Sequence, residues 1–193
     1  IEPELETETD FDLHKLGLIK AKADLQFKAT VFVDISSGEE ELIAQLKQKT
    51  RYNIRLAERK GVAVDHRPMD EAGVDLMYDL MLATKKRAGF FLRQKNYFKT
   101  YWQGLADAGM GQLLIASHEG DVLGGVFVTA FGTKAYYKDG GSFETKRNLM
   151  APYLLQWEAM KWAKTKGATS YDMVAVPPKS EIDNPNHMQY GLY

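Results

Sequence analysis

The sequence predicts an α+β fold, a mixed and mostly antiparallel sheet flanked by helices. Three observations predict it. Between residues 112 and 137, short β-branched runs follow one another across glycine-containing turns, which marks an antiparallel meander. Several longer stretches repeat apolar residues at three- and four-residue spacing, which marks helices with one buried face. The whole order reads strand, helices, strand, helices, three antiparallel strands, long helix, strand, and that succession is an α+β pattern.

Taken in order, a short acidic lead precedes a short helix near Phe11 to Lys20, and Ala29-Thr-Val-Phe-Val-Asp34 alternates as a strand does. Ser36-Ser37-Gly38-Glu39 then opens a helix with acids in its first turn. Leu42, Ile43, Leu46, Ile54 and Ala57 continue it at helical spacing until Gly61, with Thr50 and Asn53 interrupting the apolar face. Val62 to His66 is a second strand. Helices over Asp70 to Lys86 and Lys95 to Ala108 flank an Ala88-Gly89-Phe90-Phe91 loop. The meander comprises Gln112 to Ser117, Val122 to Ala130 and Lys134 to Tyr137, turning at Glu119-Gly120-Asp121 and at Gly132. A long helix from Asn148 to Lys166 carries Met150, Tyr153, Leu154, Trp157 and Met160 on one face, and Gly167 stands where a C-terminal cap belongs. Thr169 to Val176 is the closing strand. Trp157, Trp162, Met77 and Met81 read as core.

Composition narrows the function classes. The 193 residues hold 25 Lys plus Arg against 26 Asp plus Glu, so no global field steers the chain to nucleic acid or membrane and any polyanion contact is local. Without cysteine there is no disulfide, thiolate site or thiol nucleophile. His14, His66, His118 and His187 are far apart and form no ligand spacing, so no metal is expected. The sequence shows neither a long apolar run nor a signal-peptide pattern, and the chain reads as cytoplasmic. It also reads as a fragment: it begins at Ile1 without Met and stops at Gly191-Leu192-Tyr193, which looks like the opening of a strand.

The order of elements resembles the GNAT (acyl-CoA N-acyltransferase) fold, and two segments sharpen that resemblance. Thr50-Arg-Tyr-Asn-Ile-Arg-Leu-Ala-Glu-Arg-Lys-Gly-Val62 is similar to the "TR-x-NI-x-x-A-x-x-x-GV" signature of the FemABX peptidoglycan aminoacyltransferases. Ala135-Tyr-Tyr-Lys-Asp-Gly-Gly-Ser142, Arg147 to Glu158 and Tyr171-Asp172 resemble the same family's "Y-x-x-G-x-S … P-x-x-L-x-W-x … YD" block. The resemblance implies transfer of an amino acid from aminoacyl-tRNA to the peptide of UDP-MurNAc-pentapeptide or lipid II, with no cofactor and with peripheral membrane contact at most. It further implies that residues 1–22 are the exit from a first GNAT-like domain. Residues 23–193 would be the second, ending before the family's lysine-bearing "FK-x-GFG" segment. No long heptad run is present, so the coiled-coil arm of some members is missing and the smaller FemX type is the nearer relative.

Candidate site residues follow partly from chemistry and partly from that resemblance. Lys47, Arg51, Arg55 and Arg59 recur every fourth residue, so on one helix they form a basic stripe. The stripe could hold RNA or precursor phosphates, or be a solvated face whose bases complement the helix dipole. Arg93 and Tyr97 sit one turn apart at a helix entrance. In the family a matching pair contacts the precursor's diphosphate and peptide, and the plainer alternative is a surface Arg beside a half-buried Tyr. Tyr136 and Tyr137 must point to opposite sides of their strand, one into packing and one toward a substrate channel. The family pattern favours Tyr137 as the channel residue and also implies precursor contacts for Ser142 and Arg147. Asp172 could orient the attacking amine or serve as a strand-end anchor.

An aminoacyl ester is already activated, so transfer needs positioning, loss of one proton and stabilisation of an oxyanion. No Ser-His-Asp or Cys-His set is legible, which points to direct attack without a covalent enzyme intermediate. Lys146 to Pro152 contains no glycine where a coenzyme A transferase carries its pyrophosphate loop. The rival readings are an acyl-CoA-dependent N-acyltransferase on the same fold and a non-catalytic module that holds precursor or tRNA.

Overall fold

The computed structural model describes residues 13–19, 22, 29–181 and 183–184. Two compact units emerge, one from residues 1–30 and 175–193 and the other from 31–174. In the first, a 3-10 turn over Leu13–Leu16 closes through the Gly17 N–H on the His14 carbonyl at 2.9 Å, and the Val176 N–H donates to the Ala29 carbonyl at 3.2 Å. Most of residues 1–22 and the expected strand opening at Gly191 to Tyr193 lie outside the described residues.

The second unit holds the sheet. Its strands are β1 (Phe32–Asp34), β2 (Ala63–Arg67), β3 (Gly111–His118), β4 (Asp121–Phe131), β5 (Lys134–Ser142) and β6 (Ser170–Asp172). They line up as β1-β6-β5-β4-β3-β2, with the β5–β6 pair parallel and every other pair antiparallel. The helices are α1 (Glu39–Gln45), α2 (Gln48–Arg59), α3 (Glu71–Ala88), α4 (Lys95–Asp107) and α5 (Ala151–Thr165). α2 and α5 cover one face and α3 and α4 the other, so the side chains of β3 and β4 alternate between two separate cores. Leu114, Val126 and Val128 point to the α2/α5 face, and Leu113, Ile115 and Phe127 to the α3/α4 face.

Local chemistry explains the clean helix ends. The Asp70 carboxylate accepts from the Gly73 N–H at 2.9 Å and starts α3, while Gly89, at φ +73°, ends it. α3 then lies directly on the sheet. A Cβ on Gly141 would stand 2.5 Å from the backbone of Leu80, so only glycine admits the helix there.

Four boundaries differ from the sequence reading. The helix expected from Ser36 to Gly61 is two helices, because Leu46 and Lys47 are extended, with ψ of 152° and 143°. The break lets α1 bury Leu42 and α2 bury Ile54 and Ala57 at different rotations, which one straight helix through Thr50 and Asn53 does not allow. β5 runs on through Gly140 and Gly141 to Ser142 instead of ending at Tyr137. The last strand is only Ser170–Asp172 rather than residues 169–176. There the Asp172 carboxylate accepts from the Val174 N–H at 2.7 Å, and Val174 adopts φ +63°, a turn that leaves the sheet. The long helix starts at Ala151, after a 3-10 turn over Arg147–Leu149 and a left-handed Met150, with Pro152 in its first turn.

Candidate functional site

One strand places most of the chemistry. β4 and β5 pair Val128 with Tyr137 but Phe127 with Asp139, so Lys138 is an extra residue, a β-bulge. Without it Tyr137 and Asp139 would share a face. With it, Tyr137 lies on the α2/α5 face with Val128, and Asp139 points with Phe127 toward α3 and α4.

Asp139 meets α4 there. Its Oδ2 accepts from the indole N–H of Trp102 at 2.9 Å and from the Tyr101 hydroxyl. Trp102 is fully buried. Burial pushes the Asp139 carboxyl up to about 8, while two donors on one oxygen act in the opposite sense by favouring its ionised form. The Lys138 ammonium stands 5.6 Å from the centre of the Tyr101 ring. From Tyr101 the aromatic run continues outward: Tyr97 packs edge-on at 5.6 Å, and the Arg93 guanidinium lies 4.7 Å from the Tyr97 ring centre. Tyr97 and Arg93 are both exposed, so the run leads from solvent to a half-buried carboxyl.

α4 presents these rings because residues 97, 98, 101 and 102 share one side of a helix. Lys95 pairs with Asp75 at 2.8 Å and Lys99 with Glu71 at 2.5 Å, which sets α4 against α3. The Tyr78 hydroxyl of α3 donates to the Arg93 carbonyl at 3.0 Å and fixes the turn that carries the guanidinium.

The structure sorts the predicted residues into groups. Arg93 and Tyr97 stack on the α3/α4 face. Tyr136 and Asp172 pair in the parallel β5–β6 register and point to that same face, nearer the β1 edge. Asp172 is buried and bonds the Val174 N–H, as a strand-end anchor does. Tyr137 is separated from this group by the sheet. Its ring covers Gly140 beside the α2/α5 core, and burial pushes its hydroxyl up to about 12, so it stays a neutral phenol. Ser142 is held by α3: the Arg87 guanidinium donates to its hydroxyl at 3.0 Å and to its carbonyl at 2.7 Å. Arg147 is exposed in the 3-10 turn.

The basic stripe falls on α2, with Arg51, Arg55 and Arg59 inside that helix and Lys47 at its N-cap, and its members differ in what they meet. Lys47 occupies the N-cap position of α2 without a capping bond from its side chain, and the Arg51 guanidinium donates to the carbonyls of Ala44, at 2.9 Å, and of Leu46, both at the end of α1. Arg55 and Arg59 remain exposed on α2, across the sheet from Arg93. Asp139, Tyr101 and Trp102 went unread in the sequence, although an Asp after two tyrosines in a strand that should end was a usable signal.

A second cluster shapes the β5–α5 connection. The Lys146 ammonium reaches Asp121 at 3.0 Å, Glu119 at 3.1 Å and the His118 ring at 3.1 Å, tying that loop to the β3–β4 turn. Lys146 holds the Glu119 carboxyl below its usual range. The N–H groups of Leu149, Met150 and Tyr153 all donate to carbonyls within the turn, and Pro152 has none. An open polar cleft of about 510 Å³ lies elsewhere, between Arg67, Asp70, Asp107 and Gln112, and holds none of these residues. Among the described residues no group of His, Asp and Glu is arranged to hold a metal, and no helix is long and apolar enough to cross a membrane.

Known proteins bear on this arrangement. Residues 45–181 match the family model described as an acetyltransferase (GNAT) domain. The lipid II:glycine glycyltransferase of Staphylococcus epidermidis is 21% identical over 234 residues, which covers 90% of this chain and 55% of that protein. Its namesake from Staphylococcus aureus is 21% identical over 239 residues, covering 90% of this chain and 56% of its own length. Both alignments are longer than the 193-residue chain, so these relatives carry inserted residues that it lacks. The crystal structure of FemX superposes with a TM-score of 0.80 at 20% identity, covering 89% of this chain and 58% of that one, a shared fold. The chain thus spans little more than half the length of each.

Proposed function

The chain belongs to the acetyltransferase (GNAT) domain family, and from that premise we propose that it is the second GNAT-like half of a peptidoglycan aminoacyltransferase. The reaction moves an amino acid from aminoacyl-tRNA to the peptide of lipid II or of its UDP-linked precursor, on the cytoplasmic side of the membrane. One observation carries the proposal: over 90% of its length the chain aligns with proteins named lipid II:glycine glycyltransferase.

The geometry supports it. Arg93 over Tyr97 offers an exposed, fork-shaped cation on an aromatic floor, suited to a diphosphate with peptide beyond it. An acyl-CoA enzyme needs free backbone N–H groups between strand and helix for the coenzyme's pyrophosphate. Here those of Leu149, Met150 and Tyr153 are occupied, and Lys146 is pinned to the β3–β4 turn. Arg55 and Arg59 on the opposite face supply a separate surface for the tRNA backbone.

The test uses the full-length protein that contains this chain, tRNA charged with labelled glycine, and both the UDP-linked pentapeptide and lipid II as acceptors. Label is expected in one of the two acceptors, and Arg93→Ala is expected to raise the acceptor KM more than it lowers kcat. Absence of transfer, with acetyl-CoA raising the melting temperature and precursor leaving it unchanged, would replace this function by acyl-CoA chemistry.

A further inference from the structure

Asp139 is a carboxyl that the fold goes out of its way to place. A β-bulge turns it from one core to the other, and two donors fix one of its oxygens. The nearest ammonium on its own strand, that of Lys138, stands over the Tyr101 ring, and no cation pairs with the carboxyl among the described residues. Both donors use Oδ2. None of the hydrogen bonds found between described residues uses Oδ1, and the residue is only partly buried. A half-buried carboxyl with one oxygen anchored, no cation paired with it among the described residues and aromatic rings alongside suits an incoming cation.

Resting on the aminoacyl-transfer function proposed above, we infer that Asp139 is the acceptor-amine residue: its Oδ1 receives the primary ammonium at the end of the acceptor's alkyl side chain and takes one proton from it. The proton balance is complete. The ammonium's first proton passes to Asp139, and the freed amine attacks the ester carbonyl carbon. A C–N bond forms and the C–O bond to the ribose breaks. The second nitrogen proton leaves on the ribose oxygen as a hydroxyl, and Asp139 returns its proton to solvent.

Groups surrounding the carboxyl agree with this role. Tyr101 and Tyr97 approach from α4, Tyr78 stands on α3 behind Phe98, Lys138 flanks it on β5, and Asp172 lies on β6 at the same face. β4 contributes the apolar Phe127 opposite Asp139. Because burial raises the Asp139 carboxyl, the base form grows in as pH rises through about 8, and kcat/KM of the free enzyme should climb with it.

The full-length protein tests this in two arms. In the binding arm, wild type should bind the UDP-linked precursor with a lysine side chain at least about tenfold more tightly than one with norleucine, at a pH above 8. Asp139→Asn should lose that preference while keeping its affinity for the norleucine form. In the kinetic arm, Asp139→Asn should lower kcat about 10²-fold or more and abolish the pH limb, and Tyr101→Phe should move the limb with the fold intact. If wild type fails to discriminate lysine from norleucine, or Asp139→Asn keeps both rate and limb, the inference is overturned. Wild-type transfer from charged tRNA is a separate readout, so loss of the proposed function and loss of this assignment are told apart.

Discussion

The two faces of the sheet are built from the same strands but do different work. The α2/α5 face buries a continuous apolar cluster that includes Leu114, Val126, Val128, Leu154, Leu155 and Trp157, with polar atoms paired at its margin, as where the Tyr171 hydroxyl donates to Gln156 at 2.8 Å. The α3/α4 face buries fewer residues and is aromatic, and its rings lead from the fully buried Trp102 to a carboxyl and out to an exposed arginine. An interior that is mainly apolar and holds no carboxylate can be packed for stability alone. One that admits Asp139 gives up some stability to keep a titratable group in place, which is what a chemical site requires.

Mutations can break or sharpen that contrast. The largest effect is expected at Trp102, where truncation to Ala empties a fully buried site and removes a donor to Asp139. It should destabilise by about 3–5 kcal/mol in urea unfolding, against about 2–5 kcal/mol for Leu155→Ala on the other face. The two should differ in kind: Trp102→Ala alone should shift the Asp139 titration followed by carboxyl NMR. Next is Gly141→Ala, whose Cβ would stand 2.5 Å from the Leu80 backbone and push α3 off the sheet. About 1–3 kcal/mol is expected, and an unchanged midpoint would show that the helix has room there.

Acidity gives the third. The Asp139 carboxyl is raised from an ordinary value near 4 to about 8 by burial, so the folded state binds this proton more tightly than the unfolded chain. The stabilisation is whole below the unfolded value and is lost as pH rises through about 8. Thermal midpoints of wild type should fall across that window relative to Asp139→Asn, and parallel curves would show that Asp139 titrates normally. The smallest effect on folding belongs to Arg55→Ala with Arg59→Ala, both exposed, which should leave the unfolding midpoint unchanged. If this surface holds tRNA, the slope of log affinity against log salt should drop by about one for each lost charge.

Much of this was legible before the fold was known. The GNAT-like order of elements, the FemABX resemblance of Thr50 to Val62 and Ala135 to Ser142, and the spacing of Arg93 and Tyr97 depend on residues near one another in the chain. The matched relatives bear the resemblance out. The break at Leu46 and Lys47 was not legible, because it answers to what α1 and α2 must each bury; Arg51, Arg55 and Arg59 do share α2, but Arg51 turns back to carbonyls at the end of α1.

Amino-acid pattern by itself determined the class of fold, the succession of strands and helices and the family, because periodicity and motif spacing are local. Only the tertiary structure decided which face each β5 side chain occupies. An extra residue at Lys138 is defined by the register of the facing strand, and that register is a long-range property no run of β5 residues contains. The separation of Tyr137 from Asp139, and of Arg55 and Arg59 from Arg93, follows from it and from the helices that chose opposite sides of the sheet.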